Sequence, residues 1–260
     1  MERGLALVTG AAHGIGLAIS ARLSADGFTV VAVDEDGAEL AKSEFPDGVH
    51  RIHASIAEKD LILSTVEEIG VPAAVLVNNV GVMAGKSYLE ITDDEFANSI
   101  TTNILDTWRL TRGFVDRLVD SAALERGVIF NLSLHADRIR MCPDYSASKA
   151  ALRMLAQEMA FELGPMGIRV NSVWPGAIDT WSDRVVEAAD HRRRSEAMVP
   201  LRRLGTPQDV AALVSFLCSP EASYLTGADI RVDGGLNQFN WLHNLYSSAS
   251  DERSLYEQPE

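Results

Sequence analysis

A tyrosine and a lysine, Tyr145 and Lys149, stand four positions apart in the segment YSASK. On a helix this spacing places both side chains on one face, close enough to interact. A tyrosine hydroxyl titrates near pH 10, and a neighbouring ammonium group favours the phenolate and lowers that pKa. The pair therefore predicts a group that takes a proton from a substrate hydroxyl or returns one. An ordinary surface pair on a helix is the competing interpretation.

A glycine-rich turn near the start of the chain could bind phosphate groups. The segment TGAAHGIG follows a short apolar strand and precedes a helical pattern. Gly10, Gly14 and Gly16 let the backbone turn tightly and approach a pyrophosphate, and the helix N-terminus offers N–H groups and partial positive charge. A turn with only a structural role is the alternative. The strand before it, the helix after it and an acidic residue further on favour a dinucleotide.

That acidic residue is Asp34, which ends the apolar run TVVAVD. A carboxylate at this place can accept both hydroxyls of an adenosine ribose, and it repels a 2′-phosphate. His13 stands in the turn where a cation would assist such a phosphate, and neither Arg nor Lys follows Asp34 before Lys42. We therefore predict NAD rather than NADP as the cofactor. The alternative is that Asp34 is a turn residue at a strand end.

The elements that must position these groups alternate along the chain. Apolar, β-branched runs predict strands, several of them apolar throughout as expected when both faces of a sheet are covered. Strands alternating with helices imply right-handed crossovers and a parallel sheet. The predicted fold is α/β, a Rossmann-type doubly wound parallel sheet in three α/β/α layers. The strands are placed near 5–9, 29–33, 50–53, 74–77, 127–132, 168–173 and 229–232, and the helices near 15–25, 58–69, 93–119, 145–163 and 207–217.

The chain is expected to form one domain. Residues 1–235 would carry the fold, with a charged substrate lid near residues 178–204, because open α/β sheets place ligand loops between a strand and the next helix. Residues 236–260 form a polar tail with scattered aromatic residues and no periodicity. This tail is either frayed or an arm that contacts a partner.

The composition limits the classes of partner. The chain has 260 residues, 47% of them hydrophobic, which is enough to bury one sizeable core. A formal net charge of −14 argues against a nucleic-acid partner, because phosphate backbones are bound by clustered cations. Cys142 and Cys218 are too few for a disulfide framework, and the N-terminal apolar run is too short for a signal peptide or a membrane span. We expect a soluble cytoplasmic protein with no membrane contact and no metal site.

The motifs in their order resemble those of the classical short-chain dehydrogenases/reductases. NNVG (78–81) is similar to the family's NNAG motif, and TTNILDTW carries Asn103 where the family has a helix asparagine. WPGAIDT (174–180) resembles the segment that holds the nicotinamide, and YLTGADIRVDGG (224–235) resembles the C-terminal strand signature. The resemblance runs from about residue 4 to residue 235.

This resemblance implies an NAD-dependent oxidoreductase that interconverts a secondary alcohol and a ketone. Tyr145 would move the proton, Lys149 would hold the nicotinamide ribose, and Asn103 would link Lys149 to solvent through water, while the cofactor carries the hydride. The cofactor site is expected to comprise Gly10, His13, Gly14, Ile15, Gly16, Asp34, Ser55, Ile56, Asn79, Val80, Gly81, Tyr145, Lys149, Pro175, Gly176, Ile178 and Thr180. The alternatives are a catalytically impaired NAD-binding regulatory protein and a non-redox isomerase or dehydratase on the same scaffold.

One departure from the family pattern falls close to the tyrosine. The family strand ends in two serines, the second of which bonds the substrate oxygen, whereas GVIFNLSL has Leu134 at that second position. Adjacent residues of a regular strand point to opposite faces, so Ser133 and Leu134 cannot both face the substrate. We predict that Ser133 takes over this role. An apolar wall at Leu134, with His135 as the donor, is the alternative. A second departure is Ser55, which replaces the family's adenine-binding aspartate and can still accept a hydrogen bond.

The substrate is expected to be a small alcohol or ketone, and arginines in two segments suggest that it could be anionic. Arginine side chains bind carboxylate or phosphate through paired N–H groups. Solvated faces that balance an acidic protein are the alternative interpretation. Arg140 and Trp181 are expected at the substrate site. The cationic candidates are Arg138, Arg140, Arg184, His191, Arg192, Arg193, Arg194, Arg202 and Arg203.

A homo-oligomer is also expected. The predicted helix 145–163 is apolar on more than one side, so one face would meet the sheet and another a second subunit. The family resemblance implies a tetramer or a dimer.

Overall fold

The computed structural model describes residues 3–137, 141–180 and 189–238, with only the backbone described at 189–191, 193 and 194. Seven parallel strands form one sheet in the order β3-β2-β1-β4-β5-β6-β7. The predicted α/β fold and all seven strands are confirmed. The strands are β1 (Leu5–Thr9), β2 (Thr29–Asp34), β3 (His50–His53), β4 (Ala73–Asn78), β5 (Arg126–Asn131), β6 (Ile168–Pro175) and β7 (Asp229–Val232).

Helices cover both faces of the sheet. Each predicted helix is present, but the region 93–119 is divided by a π-helical turn at Thr101–Asp106. Two further helices were not predicted, because one is only six residues long and the other carries charges without an apolar stripe. The helices are α1 (Gly14–Ala25), α2 (Gly37–Lys42), α3 (Lys59–Ile69), α4 (Asp93–Ile100), α5 (Thr107–Val119), α6 (Pro143–Leu163), α7 (Ala189–Met198) and α8 (Pro207–Leu217).

Two hydrophobic cores, one on each face, hold the layers together. One core packs α3, α5 and α6 against the sheet, and the other packs α1, α2 and α8 against the opposite face. The central strands β1 and β4 are buried along their whole length, which explains why their sequences are apolar throughout. Each core face buries several large aliphatic side chains, each worth about 1.5–3 kcal/mol relative to exposure.

The parallel arrangement brings all strand ends that carry candidate residues to one edge. The glycine turn follows β1, Asp34 ends β2, Asn79 follows β4, and Ser133 follows β5. In an open parallel sheet, the crevice beyond the carboxyl ends of the strands is the place where ligands bind. Among the described residues, no helix is long and apolar enough to cross a membrane.

Candidate active site

A cavity of about 600 Å³ opens at the carboxyl ends of the strands. The turn after β1, the residues that follow β4, β5 and β6, and the start of α6 contribute to its wall. A second cavity of about 190 Å³ shares Gly10, His13, Asn79 and Gly81 with the first. The two cavities together form a groove beside β1, where the order of the strands reverses, and this is the dinucleotide position in such sheets.

Tyr145 and Lys149 lie on the same face of α6, as their spacing predicted. Both line the larger cavity. Lys149 is 1% exposed, and its Nζ donates a hydrogen bond to the carbonyl oxygen of Asn131 at the end of β5, at 3.1 Å. Nζ also lies 5.2 Å from the centroid of the Tyr145 ring. The ammonium therefore sits over the face of the phenol ring and is held there by the sheet.

Burial controls the proton affinity of both groups. Desolvation raises the pKa of Tyr145 to about 12, and the hydrogen bond with Ser133 opposes this rise. Desolvation also lowers the pKa of Lys149 to about 8. The predicted fall in the pKa of Tyr145 is therefore wrong, because the net shift is upward. Nζ contacts the ring face and the Asn131 carbonyl rather than the hydroxyl, so the loss of solvent outweighs its attraction for the phenolate.

The backbone after β5 determines which of Ser133 and Leu134 faces the cavity. Strand β5 ends at Asn131, and a 3₁₀ turn covers Leu134–Ala136 with Ser133 as its N-terminal cap. Ser133 Oγ accepts from the His135 N–H at 3.3 Å, and the Ser133 side chain is hydrogen-bonded to the Tyr145 hydroxyl. Leu134 is 1% exposed and belongs to the hydrophobic core. Because the strand has already ended, Ser133 faces the cavity and Leu134 packs inward, so the expectation of Leu134 as a substrate contact is wrong.

His135 also reaches the cavity. Its ring lies edge-on to that of Tyr145, with the centroids 5.0 Å apart, and its Nδ1 is 3.2 Å from Ser146 Oγ. The imidazole therefore forms part of the wall beside the phenol. A role for His135 as the donor that replaces Ser133 stays a prediction.

Asn103 lies in the π-helical turn and is fully buried. Its Oδ1 accepts from the Val82 N–H at 2.8 Å, and its Nδ2 donates to the Val82 carbonyl at 2.8 Å and to Ser148 Oγ at 2.9 Å. The amide thus fixes the backbone just after β4 and contacts the helix that carries Tyr145. π-Helical turns are often found at functional sites. The predicted water link from Asn103 to Lys149 stays a prediction.

The glycine turn has the geometry that its sequence predicted. Gly10 and Gly14 have φ values of 63° and 54°, in the left-handed region. A Cβ at Gly16 would lie 2.0 Å from the Gly10 carbonyl oxygen, so no other residue fits there. Asn79 Nδ2 donates to the carbonyl oxygens of Thr9 and Gly10, at 3.0 Å each. The turn is therefore tied to the end of β4 and presents a preformed backbone surface.

Asp34 lies beside this turn. Its Oδ2 accepts from the Ala12 N–H and its Oδ1 from the Asp36 N–H, both at 2.9 Å. The carboxylate lines the smaller cavity together with Ser55. Since each carboxylate oxygen has a further lone pair, Asp34 can still accept bonds from a ligand. Ile56 and Val80 complete the predicted residues on this wall.

The segment after β6 forms the opposite wall of the larger cavity. Pro175, Gly176, Ile178 and Thr180 all line it, and their role in holding the nicotinamide stays a prediction. A Cβ at Gly176 would lie 2.7 Å from the Asp233 Cα, so close packing against the chain after β7 explains this glycine.

Among the arginines, Arg192 of α7 is the one described at the cavity wall. It donates to Asp179 Oδ2 at 2.9 Å and to Glu196 Oε1 at 3.0 Å. Both carboxylates raise the pKa of Arg192. Arg203 instead pairs with Asp209 at the start of α8. Two predicted substrate residues, Arg140 and Trp181, lie outside the described residues, as do residues 181–188 of the predicted lid 178–204 and the tail from 239 onward.

Sequence reasoning missed two buried polar residues beside the tyrosine and lysine. Asn131 receives the Lys149 hydrogen bond through its carbonyl oxygen, and its Nδ2 donates to Asn79 Oδ1 at 2.6 Å. Asp144, directly before Tyr145, has no exposed surface. A polar residue that ends an apolar strand was the available signal for Asn131, and no comparable signal existed for Asp144. No group of three or more His, Cys, Asp or Glu side chains in the described ranges is placed to hold a metal ion.

Comparisons with known proteins agree with this geometry. The family model of enoyl-(acyl carrier protein) reductases matches residues 10–237. The (3R)-3-hydroxyacyl-CoA dehydrogenase of Rattus norvegicus is 34% identical over 255 residues, covering 91% of this chain and 97% of the relative. A 3-ketoacyl-(acyl-carrier-protein) reductase from Brucella melitensis, solved with NADH, superposes with a TM-score of 0.83 at 29% identity, over 90% of this chain and 98% of that one. A short-chain dehydrogenase/reductase-family oxidoreductase from Burkholderia thailandensis superposes with a TM-score of 0.86 at 28% identity, over 96% and 99% of the two chains.

Proposed function

The chain belongs to the classical short-chain dehydrogenase/reductase family, and on this premise we propose that it interconverts a secondary alcohol and a ketone with NAD. The observation that supports the proposal best is the meeting of Ser133, Tyr145 and Lys149 at one cavity wall. A phenol hydrogen-bonded to a serine and stacked under an ammonium is suited to moving a proton at a substrate oxygen. Ser133 belongs to the turn after β5, whereas Tyr145 and Lys149 belong to α6. An ordinary surface pair on one helix would not be joined by a third residue from another element.

The residues present fit a dinucleotide. Gly10, Gly14 and Gly16 leave a cradle that side chains would fill, and a Cβ at Gly81 would lie 3.0 Å from Lys149 Nζ. The backbone at the start of α1 would hold the pyrophosphate, Asp34 the adenosine ribose and Lys149 the nicotinamide ribose. When bound, NAD would supply the hydride acceptor and a positive charge near the phenol.

The chain's own groups perform the proton step. Ser133 would hold the substrate oxygen through its hydroxyl. Tyr145, with its pKa raised to about 12, carries its proton at neutral pH and can give it to the oxygen of a ketone as that oxygen gains negative charge. In the opposite direction Tyr145 must first lose its proton, a step that the neighbouring Lys149 ammonium assists electrostatically. Reduction therefore needs no prior ionisation of the phenol, whereas oxidation does.

NAD is proposed over NADP because of Asp34. Its carboxylate is fixed beside the glycine turn by two backbone N–H groups and lines the smaller cavity. A 2′-phosphate would have to approach this negative charge. Asp34→Asn keeps the side-chain shape and removes the charge. We expect the variant to bind NADH about tenfold more weakly and NADPH more tightly than the wild type does, as measured by fluorescence titration of both reduced cofactors. A wild-type chain that binds NADPH more tightly than NADH would contradict the proposal.

The cavity wall favours a substrate that is uncharged near the reacting carbon. Arg192 is paired with both Asp179 and Glu196, so this group of three has a net charge of −1. A substrate carboxylate at this wall would have to displace one of them. The names of the relatives, a 3-hydroxyacyl-CoA dehydrogenase and a 3-ketoacyl-(acyl-carrier-protein) reductase, suggest 3-oxoacyl and 3-hydroxyacyl thioesters as the first compounds to test.

The test of the function is absorbance at the reduced-nicotinamide band with a panel of neutral ketones, thioesters and matched carboxylates. We expect turnover, with a lower KM for compounds that are neutral next to the carbonyl. Cofactor binding without turnover of any compound would support the alternative of a regulatory protein. Product without net change in the cofactor would support an isomerase or dehydratase.

A homo-oligomer is proposed from the helix surfaces on one side of the sheet. Met154 and Phe161 on α6 are 57% and 84% exposed, and Trp108 on α5 is 43% exposed. Large apolar side chains exposed on the helices of one sheet face are typical of subunit interfaces. Light scattering is expected to give a molar mass at least twice the 28.2 kDa of one chain. A monomer at micromolar concentration would contradict the proposal.

A further inference from the structure

Asp144 is a buried carboxylate that the proposed proton step does not use. It lies in the first turn of α6, directly before Tyr145, and has no exposed surface. Its Oδ2 accepts from Ser99 Oγ at 2.6 Å and from the Ala84 N–H at 2.8 Å. Burial alone would raise the pKa of Asp144, but these hydrogen bonds outweigh burial and lower it. The carboxylate is therefore ionised at neutral pH.

This charge is held by neutral donors. Within the described ranges, the salt bridges do not include Asp144. Besides Ser99 and Ala84, the backbone N–H groups of Asp144 and Tyr145 favour its charged form, although Oδ1 has no hydrogen bond of ordinary geometry. An ionised group in such a place is costly, and an apolar residue of similar volume is often tolerated at least as well for stability alone. The hydrogen bonds that hold this charge tie α6 to two other segments of the chain, so the position of those segments depends on Asp144.

The segment that Asp144 holds forms the wall behind the phenol and the ammonium. A Cβ at Gly81 would lie 3.0 Å from Lys149 Nζ and 3.4 Å from Tyr145 Cε2, and Met83 lines the larger cavity. Asn103 fixes Val82 through both of its backbone groups. Asp144 accepts a hydrogen bond from the backbone N–H of Ala84, two residues after Val82.

We propose that Asp144 is a positioning residue that clamps the segment 81–84 against Tyr145 and Lys149. The inference rests on the proposed function. The clamp is the hydrogen bond from the Ala84 N–H to Asp144, which joins the chain after β4 to α6. Ser99 on α4 donates to the same carboxylate oxygen but is not part of the segment 81–84. Asp144 thereby couples the start of the helix that carries Tyr145 to the cavity wall that faces it.

Three variants separate this role from simple loss of stability. Asp144→Ala removes both hydrogen bonds and is expected to lower kcat about tenfold, since displacement of a supporting wall disturbs the reacting geometry. Asp144→Asn keeps the shape but replaces charge-assisted bonds by weaker neutral ones, so it is expected to rescue most of that loss. Ser99→Ala also removes a buried hydrogen bond but leaves the one to Ala84, and we expect its kcat to stay within about twofold of wild type.

Amide hydrogen exchange at Ala84 supplies a readout that needs no turnover. We expect exchange roughly tenfold faster in Asp144→Ala, roughly fivefold faster in Asp144→Asn, and unchanged in Ser99→Ala. If Asp144→Ala does not fold, Asp144→Asn decides the matter through the same exchange rate and kcat.

Two results would overturn the proposal. One is a wild-type exchange rate at Ala84 in Asp144→Asn, together with a wild-type kcat. The other is an equal loss of kcat in Ser99→Ala and Asp144→Ala, which would indicate a general effect of destabilisation. A wild-type chain that turns over no substrate would instead overturn the proposed function, and the positioning role with it, while the exchange rates would still report whether the clamp exists.

Discussion

Replacement of Tyr145 by phenylalanine is expected to lower kcat at least about a thousandfold, while the affinity for NADH stays within about twofold of wild type. The variant loses only the hydroxyl, so the ring contacts to Lys149 and His135 are preserved. General acid–base groups contribute about a hundred- to ten-thousandfold, and in the proposed mechanism this hydroxyl exchanges the substrate proton. Single-turnover absorbance at the reduced-nicotinamide band, with NADH affinity measured separately by fluorescence, would give both quantities.

Ser133→Ala is the matched comparison for that variant. It removes the hydroxyl that bonds Tyr145, and we expect a loss of about a hundred- to a thousandfold in kcat, as for other donors at a reacting oxygen. In the wild type, the oxidation rate should rise with pH toward alkaline values, because oxidation requires the phenolate and the pKa of Tyr145 is raised.

Undiminished turnover in Tyr145→Phe would mean that another group moves the proton, and the proposed mechanism would fail.

Lys149→Met is expected to reduce activity about a hundredfold or more without destabilising the fold at pH 7. The ammonium is 1% exposed, and its pKa falls from 10.5 to about 8 on burial. That difference corresponds to about 3 kcal/mol of unfavourable free energy for the charged form in the folded state. Loss of the bond to the Asn131 carbonyl offsets about 1–2 kcal/mol of the gain from removing this charge. The melting temperature of the variant should therefore equal or exceed that of the wild type.

The pH dependence of stability provides the sharper test of Lys149. Between pH 8 and pH 10.5 the unfolded chain holds the lysine proton and the folded chain does not, so the stability that Lys149 confers rises with pH across this window. The quantity to compare is the difference in free energy of unfolding between wild type and variant. The buried Cys218, whose pKa is raised to about 12, makes stability fall with pH in both proteins, and the difference removes this contribution. Chemical unfolding of wild type and variant from pH 7 to pH 10 measures that difference. A difference that does not change with pH would show that Lys149 is not buried as described.

The strands and the glycine turn were predictable because each depends on a local sequence signal. β1 and β4 are buried on both faces, and uninterrupted apolar runs record this directly. The positive φ values and close backbone contacts of the turn require glycine, so the glycines in the sequence indicate the turn directly. The spacing of Tyr145 and Lys149 determines their common face on any helix.

The features that were missed depend on contacts between distant segments. Strand alternation could not decide between Ser133 and Leu134, because the strand ends at Asn131 and a 3₁₀ turn follows. The raised pKa of Tyr145 depends on how completely the fold removes solvent from it, and the segment YSASK carries no record of that. Asp144 acquires its surroundings from Ser99 and Ala84, which lie 45 and 60 positions away in the chain.

The π-helical turn at Thr101–Asp106 has a consequence for attempts to make this protein more heat-resistant. A wide turn of this kind uses one residue more than a regular helix would, and its geometry is less favourable. An engineer who optimised helix propensity along 93–119 would therefore select this turn for repair. Regularising it would rotate Asn103 away from Val82 and Ser148. The redesigned protein would have a more stable helix but would lose the hydrogen bonds by which Asn103 holds the segment after β4 against α6. Stabilising substitutions are better directed to α8, which packs on the opposite face of the sheet.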